Sequence, residues 1–380
     1  MLDAVYKNSL KIHKKFHGKL ELKSKVPIKN KKDLSLAYTP GVAEVCRVIG
    51  RDKSKVYEYT IKKNTVAVVS DGSAILGLGN LGPEAALPVM EGKAVLFKEF
   101  AGVDAFPICL DTQDTEEIIK AVKNIAPVFG GINLEDISAP RCFEIEERLK
   151  NELSIPVMHD DQHGTAVVVL AGLINAFKIK KMDKRNAVVV ISGAGAAGTA
   201  IAKMLLRYGV GTVEVCDSKG LVHAGRKDLN ASKIELAQIT KQQNQADKTL
   251  KDVLKNADVF IGVSGPGIIT RTEVQSMNSK PIILVLANPV PEIMPEEAKA
   301  GGAYIIGTGR SDFSNQINNV LAFPGIFRGA LDNRVAQITD DMLVKAAENL
   351  ARYVKNPRVD AILPKPFDVG VAKVVAKAIK

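Results

Sequence analysis

Gly193-Ala194-Gly195-Ala196-Ala197-Gly198 follows the β-branched run Ala187 to Ile191 and opens the small-residue stretch Ala197 to Tyr208, which Gly209 ends. A G-x-G-x-x-G pattern alone is a weak signal, but a buried strand before it and a helix after it make it a phosphate-binding turn. Gly193 permits the tight turn, Gly195 lets a pyrophosphate approach the backbone, and Gly198 lets the helix pack on the strand, while the helix N-terminus meets the phosphate charge. The next apolar run, Thr212 to Cys216, leads into Asp217, nineteen residues beyond Gly198, where a carboxylate can accept bonds from the adenosine ribose hydroxyls. Gly193, Ala194, Gly195, Ala196, Ala197, Gly198 and Asp217 are therefore candidate ligands of a nicotinamide dinucleotide used in redox chemistry. Asp217 opposes a 2′-phosphate and favours NAD, whereas Lys219, Arg226 and Lys227 could welcome that phosphate, so NAD is expected first and NADP stays open.

Working outward from this loop, Val259 to Val263, Ile282 to Ala287 and Tyr304 to Ile306 are further parallel-strand candidates between helices. Thr339 to Val354 and Val369 to Ile379 are amphipathic closing helices. Upstream, short apolar runs at Thr65 to Val69, Ala105 to Leu110 and Pro156 to Met158 alternate with helical stretches at Pro83 to Phe100 and Thr115 to Ile125. The spacing predicts an α/β protein with an N-terminal α/β substrate domain over residues 1–160. A Rossmann-type, doubly wound parallel-sheet dinucleotide-binding domain is expected over residues 161–380. The apolar helix Gly164 to Phe177 would connect the two.

With 380 residues, 46% of them hydrophobic, the chain can fill two cores. The start of the chain lacks an apolar signal region, and the uncharged stretch Ala166 to Phe177 is short of a membrane span, so a cytoplasmic location without membrane association is expected. Cys46, Cys109, Cys142 and Cys216 stand far apart with no C-x-x-C pair, which fits reduced, small core residues. The net charge of +10 comes largely from lysines between Lys7 and Lys32. Without interleaved aromatics these read as a solvated face rather than a nucleic-acid surface.

Acidic pairs mark a second centre. Glu135-Asp136 closes Gly130-Gly131-Ile132-Asn133-Leu134, and Asp160-Asp161 lies in His159-Asp160-Asp161-Gln162-His163-Gly164-Thr165. Adjacent carboxylates at strand ends repel unless a cation joins them, and oxygen ligands suit Mg²⁺ or Mn²⁺ better than zinc. Helix capping by these acids is the bland alternative. His159 and His163 have the i, i+4 spacing of a zinc protease, but Pro156 and Gly164 put them at a strand-to-helix junction rather than inside a helix.

Further motifs join these: Ser35-Leu36-Ala37-Tyr38-Thr39-Pro40-Gly41-Val42, Ser70-Asp71-Gly72 leading into Gly77-Leu78-Gly79-Asn80-Leu81-Gly82, Pro88-Val89-Met90-Glu91-Gly92-Lys93, Asn288-Pro289 and Asn318-Asn319-Val320. In this order the sequence resembles the malic enzyme family, in its short bacterial form, from about Leu34 to about Leu331. The resemblance implies conversion of malate to pyruvate and CO₂ with NAD(P) and Mg²⁺ or Mn²⁺, in a protein working as a homodimer. It implies Tyr38 as general acid, Lys93 as general base with Asp160 as its polar neighbour, and Glu135, Asp136 and Asp161 as metal ligands. Asn288 and Asn319, with Lys93, would hold malate, and Asn288 and Asn318 would border the cofactor. Lysine serves as a base only if burial or nearby cations lower its pKa. Longer family members carry an arginine where this sequence has Ala74, so Arg310 becomes a candidate for gripping a substrate carboxylate. A malolactic enzyme releasing lactate and a silent dinucleotide-binding or DNA-binding regulator are the rival readings, and the second would lack Tyr38, Lys93 and the acids.

Overall fold

The computed structural model describes residues 2–75, 77–241 and 247–380. Its first part contains α1 (Leu2–Phe16), α2 (Lys31–Ala37), α3 (Val42–Arg51) and α4 (Val56–Tyr59), and no described residue from 4 to 61 is buried. A four-stranded sheet follows, made of β1 (Thr65–Ser70), β2 (Asp104–Cys109), β3 (Gly131–Leu134) and β4 (Val157–His159) in the order β2-β1-β3-β4, with every pairing parallel. Parallel neighbours need crossovers. These are α5 (Pro83–Ala101), α6 (Thr115–Ile125) and α7 (Arg141–Glu152). β3 is a strand that the sequence reading did not mark, because in four residues a glycine and an asparagine dilute its apolar run.

From β4 the chain turns directly into α8 (Asp160–Lys180), a helix four residues longer at its start than the apolar stretch that announces it. Both faces of its middle are buried, which is why its sequence is apolar all round. Its length and composition would also suit a membrane span, but 72% of that window lies inside the protein.

The second sheet holds β5 (Val188–Ser192), β6 (Thr212–Asp217), the two-residue β7 (Gly220–Leu221), β8 (Val259–Gly262), β9 (Ile282–Val285) and β10 (Ile305–Thr308). Its order is β10-β9-β8-β5-β6-β7, parallel except for β6 with β7. The order reverses at β5, so the crevice between β5 and β8 is the topological switch point of a doubly wound sheet. The connecting helices are α9 (Ala196–Tyr208), α10 (Ala231–Ile239), α11 (Leu250–Leu254), α12 (Arg271–Gln275) and α13 (Pro295–Ala300). The chain ends in α14 (Phe323–Asn333), α15 (Asp340–Tyr353) and α16 (Val371–Ala376).

Three apolar clusters hold these layers. One fills the far face of the first sheet under α6 and α7, and another fills the far face of the second sheet under α11 to α13. The largest joins the near faces of both sheets through α8, α9, α14 and α15. Phe97 of α5 meets Phe323 and Phe327 of α14 edge-on, at centroid separations of 4.7 and 5.4 Å. The C-terminal helices therefore close over the first sheet as well as the second. Of the four cysteines expected in the core, Cys142 and Cys216 are buried, Cys109 is half-buried and Cys46 is exposed, and all are free thiols.

Candidate active site

In a parallel sheet, ligand-binding groups gather beyond the carboxyl ends of the strands. β3 ends at Leu134, so Glu135 and Asp136 stand at its tip, and β4 ends at His159, placing Asp160 and Asp161 beside them in the first turn of α8. Asp136 takes a left-handed φ of +53°, which folds its amide towards Asp161 Oδ2 at 2.9 Å. Carboxylate oxygens of Glu135, Asp136 and Asp161 lie within 4.8 Å of one another. Asn133 donates to Glu135 Oε2 at 3.0 Å.

Lys93 enters from α5. Its Nζ lies 2.5 Å from Asp160 Oδ2 and 2.9 Å from Glu135 Oε1, and sits over the Phe323 ring at 4.3 Å from the centroid. Lys93 is 7% exposed and Asp160 is fully buried. Burial pulls the Lys93 pKa down, but Asp160, Glu135 and Asp161 outweigh it and hold the ammonium above its usual value. The same burial pushes Glu135 well up and Asp160 to about 6, against the pull of Lys93. The lowering that a catalytic lysine requires is therefore absent from the bare cluster, because one ammonium faces the carboxylates of Asp160, Glu135 and Asp161. This excess of negative charge on oxygen donors fits a hard divalent cation at Glu135, Asp136 and Asp161. Asp160 Oδ1, buried and without a hydrogen-bond partner, faces the same unmet need.

The two histidines diverge from any shared metal. His159 is buried, its pKa lowered by burial, its ring nitrogens without a hydrogen bond but its Nδ1 3.9 Å from Asp161 Oδ2, while His163 Nε2 bonds Glu146 at 2.9 Å. Neither joins the three carboxylates that could share a cation.

The glycine loop spans β5 to α9. A side chain on Gly193, whose φ is +117°, would meet Val263 O at 2.5 Å, and one on Gly198 would meet Gly193 O at 1.7 Å. One on Gly195 would meet nothing, since it faces an open cleft of about 660 Å³. Gly193, Ala194, Gly195, Asp217, Lys219 and Lys233 are among the residues lining that cleft. Ala196 and Ala197 begin the helix. Asp217 is already occupied: Arg226 grips it at 2.8 and 3.0 Å, Lys233 Nζ bonds it at 2.6 Å and the Lys219 amide at 2.9 Å. Burial would raise its pKa, but these partners hold it at about 2. A carboxylate offers about four acceptor positions, and Arg226, Lys233 and the Lys219 amide place four donors on Asp217.

The remaining candidates are dispersed. Asn319 brings its Cβ to 3.2 Å from where a side chain on Gly164 would begin, beside Asp160. Asn318 caps the short turn that follows, its Oδ1 accepting from the Val320 amide at 3.0 Å. Asn288 is exposed and donates to Leu286 O at 3.2 Å, with the Gly77 loop against its own carbonyl. Arg310 spends its guanidinium on Asp312 and Pro289 O, which removes it as a free anchor. Tyr38 follows α2, 65% exposed, and no described hydrogen bond links its hydroxyl to the acidic cluster. Sequence reasoning missed Lys233 and Glu146, since each occupies an ordinary polar helix position.

Comparison with known proteins gives a consistent result. The family profile "Malic enzyme, NAD binding domain" matches residues 162–379, and "Malic enzyme, N-terminal domain" matches 17–117 and 112–150. The chain is 59% identical over 374 residues to the bifunctional malic/malolactic enzyme of Bacillus subtilis, covering 98% of this chain and 91% of that protein. It is 57% identical to the NAD-dependent malic enzyme of Geobacillus stearothermophilus, covering 95% and 76%. The crystal structure of the NAD-dependent malic enzyme from Thermotoga maritima superposes with a TM-score of 0.93 at 50% identity, covering 98% of both chains.

Proposed function

The chain belongs to the malic enzyme family, and on that premise we propose that it oxidatively decarboxylates (S)-malate to pyruvate and CO₂, reducing NAD or NADP with the help of Mg²⁺ or Mn²⁺. The observation that carries this reading is the meeting of Lys93 with Glu135, Asp136, Asp160 and Asp161 at one sheet edge. When bound, the dinucleotide supplies the hydride acceptor, and a cation held by Glu135, Asp136 and Asp161 supplies Lewis-acid stabilisation of charge on the C2 oxygen.

Lys93 would take the C2 hydroxyl proton as C2 is oxidised to the ketone of a 2-keto diacid, with a dinucleotide held at the glycine loop supplying the hydride acceptor. For this it must first lose a proton, which requires neutralisation of the carboxylates that now hold its pKa up. Asp160 orients Lys93 through their 2.5 Å contact. Loss of the C4 carboxylate as CO₂ leaves an enolate, and Tyr38 protonates its C3. Asn288, from the loop after β9, and Asn319, from the turn after β10, hold the diacid with Lys93. Asn318, which caps the adjacent turn, borders the cofactor with Asn288. The division at 160/161 into substrate-side and dinucleotide domains is compatible with family matches that end at residue 150 and begin at residue 162.

Because Tyr38 is exposed and no described residue from 4 to 61 is fully buried within its own chain, the working form is a homodimer in which this segment is covered by the second copy. Tyr38 then reaches the cluster of the partner subunit. Asp217, with its charge countered by Arg226 and Lys233, no longer repels a 2′-phosphate, so NADP is accepted beside NAD.

A turnover assay with malate, crossing NAD with NADP and Mg²⁺ with Mn²⁺, tests this. Growth of the reduced-nicotinamide absorbance with stoichiometric pyruvate is expected. The name of the B. subtilis relative favours one alternative, in which pyruvate is reduced before release. Lactate accumulating without net NADH would establish it.

A further inference from the structure

Glu146 of α7 is 4% exposed, and nothing in the chemistry above uses it. Its Oε1 accepts the His159 amide at 2.9 Å, and its Oε2 accepts Gln162 Nε2 at 3.1 Å. His163 Nε2 lies 2.9 Å away and Lys150 Nζ 2.8 Å. Three of these four partners come from the β4–α8 junction, and the two residues they enclose are Asp160 and Asp161.

The first amides of a helix have no partner within it. Acids in the first turn commonly serve them. Here His159, at the N-cap, makes no side-chain cap. Asp160 turns to Lys93, and Asp161 accepts the Asp136 amide. The start of α8 therefore draws its fixation from a neighbouring helix. Burial would raise the Glu146 pKa, but His163 and Lys150 outweigh it and keep the carboxylate ionised.

We infer that Glu146 is a positioning residue: by clamping His159, Gln162 and His163 it sets the rotation and depth of the first turn of α8, so that Asp161 meets Glu135 and Asp136 as a divalent-cation ligand and Asp160 meets Lys93. This rests on the cation reading proposed above. Residues that orient metal ligands from behind typically cost about 10–100-fold in metal affinity when removed.

The test is Mn²⁺ titration, with free Mn²⁺ followed by electron paramagnetic resonance, alongside NADH fluorescence titration and metal-free thermal unfolding. For Glu146→Ala, the Mn²⁺ Kd should rise about 10–100-fold with the NADH Kd close to wild type, while the metal-free unfolding transition falls because buried donors lose their acceptor. Glu146→Gln keeps an acceptor for the His159 amide without the charge, and should fall between the two. It carries the test if the alanine variant does not fold. Mn²⁺ affinity within about twofold of wild type in the folded variants, or equal losses of Mn²⁺ and NADH affinity, overturns the positioning role while leaving the cation site standing. Wild-type protein that binds no Mn²⁺ overturns the cation reading and this inference with it.

Discussion

Asp217 shows how far a single residue can be read before its neighbours are known. Its place at the end of β6 follows from its distance to the glycine loop, but its state is set by Arg226 and by Lys233 of α10. Lys233 is the cation of this pair that also lines the cleft. A charge-assisted hydrogen bond contributes about 1.5–3 kcal/mol, so Lys233→Ala should raise the KM for NADP by about tenfold or more and change that for NAD by less than about threefold. Steady-state kinetics with both dinucleotides decide this, and equal changes would remove Lys233 from the choice. The acids were legible as adjacent carboxylates at strand ends, and Lys93 only through the motif Pro88-Val89-Met90-Glu91-Gly92-Lys93 that carries the family resemblance. Glu146 was not, since in Glu144-Ile145-Glu146-Glu147-Arg148 a solvated helix face and a buried clamp look alike. The Lys93 pKa also lay beyond the sequence, because it depends on how many carboxylates arrive from other loops.

Among the elements, the strands of the second sheet are legible because burial on both faces demands continuous β-branched runs. β3 and β7 are hidden by their glycines and brevity. The glycine loop ties sequence to element most closely, and its glycines separate two kinds of damage. Gly198→Ala puts a methyl group onto the Gly193 carbonyl. It should destabilise the fold by about 1–3 kcal/mol, as overpacking does, and weaken NADH binding as the turn opens. Gly195→Ala meets no protein atom and occupies the cleft instead. It should leave the unfolding midpoint in place and raise the NADH Kd. Thermal unfolding and NADH fluorescence titration on the two variants check the contrast, and a Gly195→Ala protein that unfolds earlier yet binds NADH normally would contradict it. α8 shows the limit of pattern reading: its apolar stretch announces a helix, but its first four residues are polar because they face the acidic cluster and Glu146, and periodicity does not reach them.

For the whole molecule, the segment from 4 to 61 carries the most information, because it is where the isolated chain fails to account for itself. Val5, Tyr6, Leu10, Ile12, Phe16, Leu22, Leu36 and Tyr38 are exposed, and α2 and α3 bury no residue. An amphipathic helix has to cover its apolar stripe. In the proposed symmetric dimer both copies would be covered by the same contact, and each Tyr38 would be brought to the partner's cluster. Nothing in the sequence distinguishes a residue that serves its own chain from one that serves the next, so the sharing proposed for Tyr38 lies beyond what its motif can tell. The consequence is open to a complementation experiment. Tyr38→Phe and Lys93→Ala proteins, each nearly inactive alone, are mixed, unfolded and refolded together. If Tyr38 acts across the interface, a mixed dimer has one site with both substitutions and one with neither. Half the dimers are then mixed and half their sites are intact, restoring about a quarter of wild-type turnover. If Tyr38 acts within its own chain, every site in the mixed dimer carries one lesion and no activity returns. Malate turnover of the refolded mixture, set against each variant refolded alone, distinguishes the two, and a mixture no more active than its components would refute the shared site.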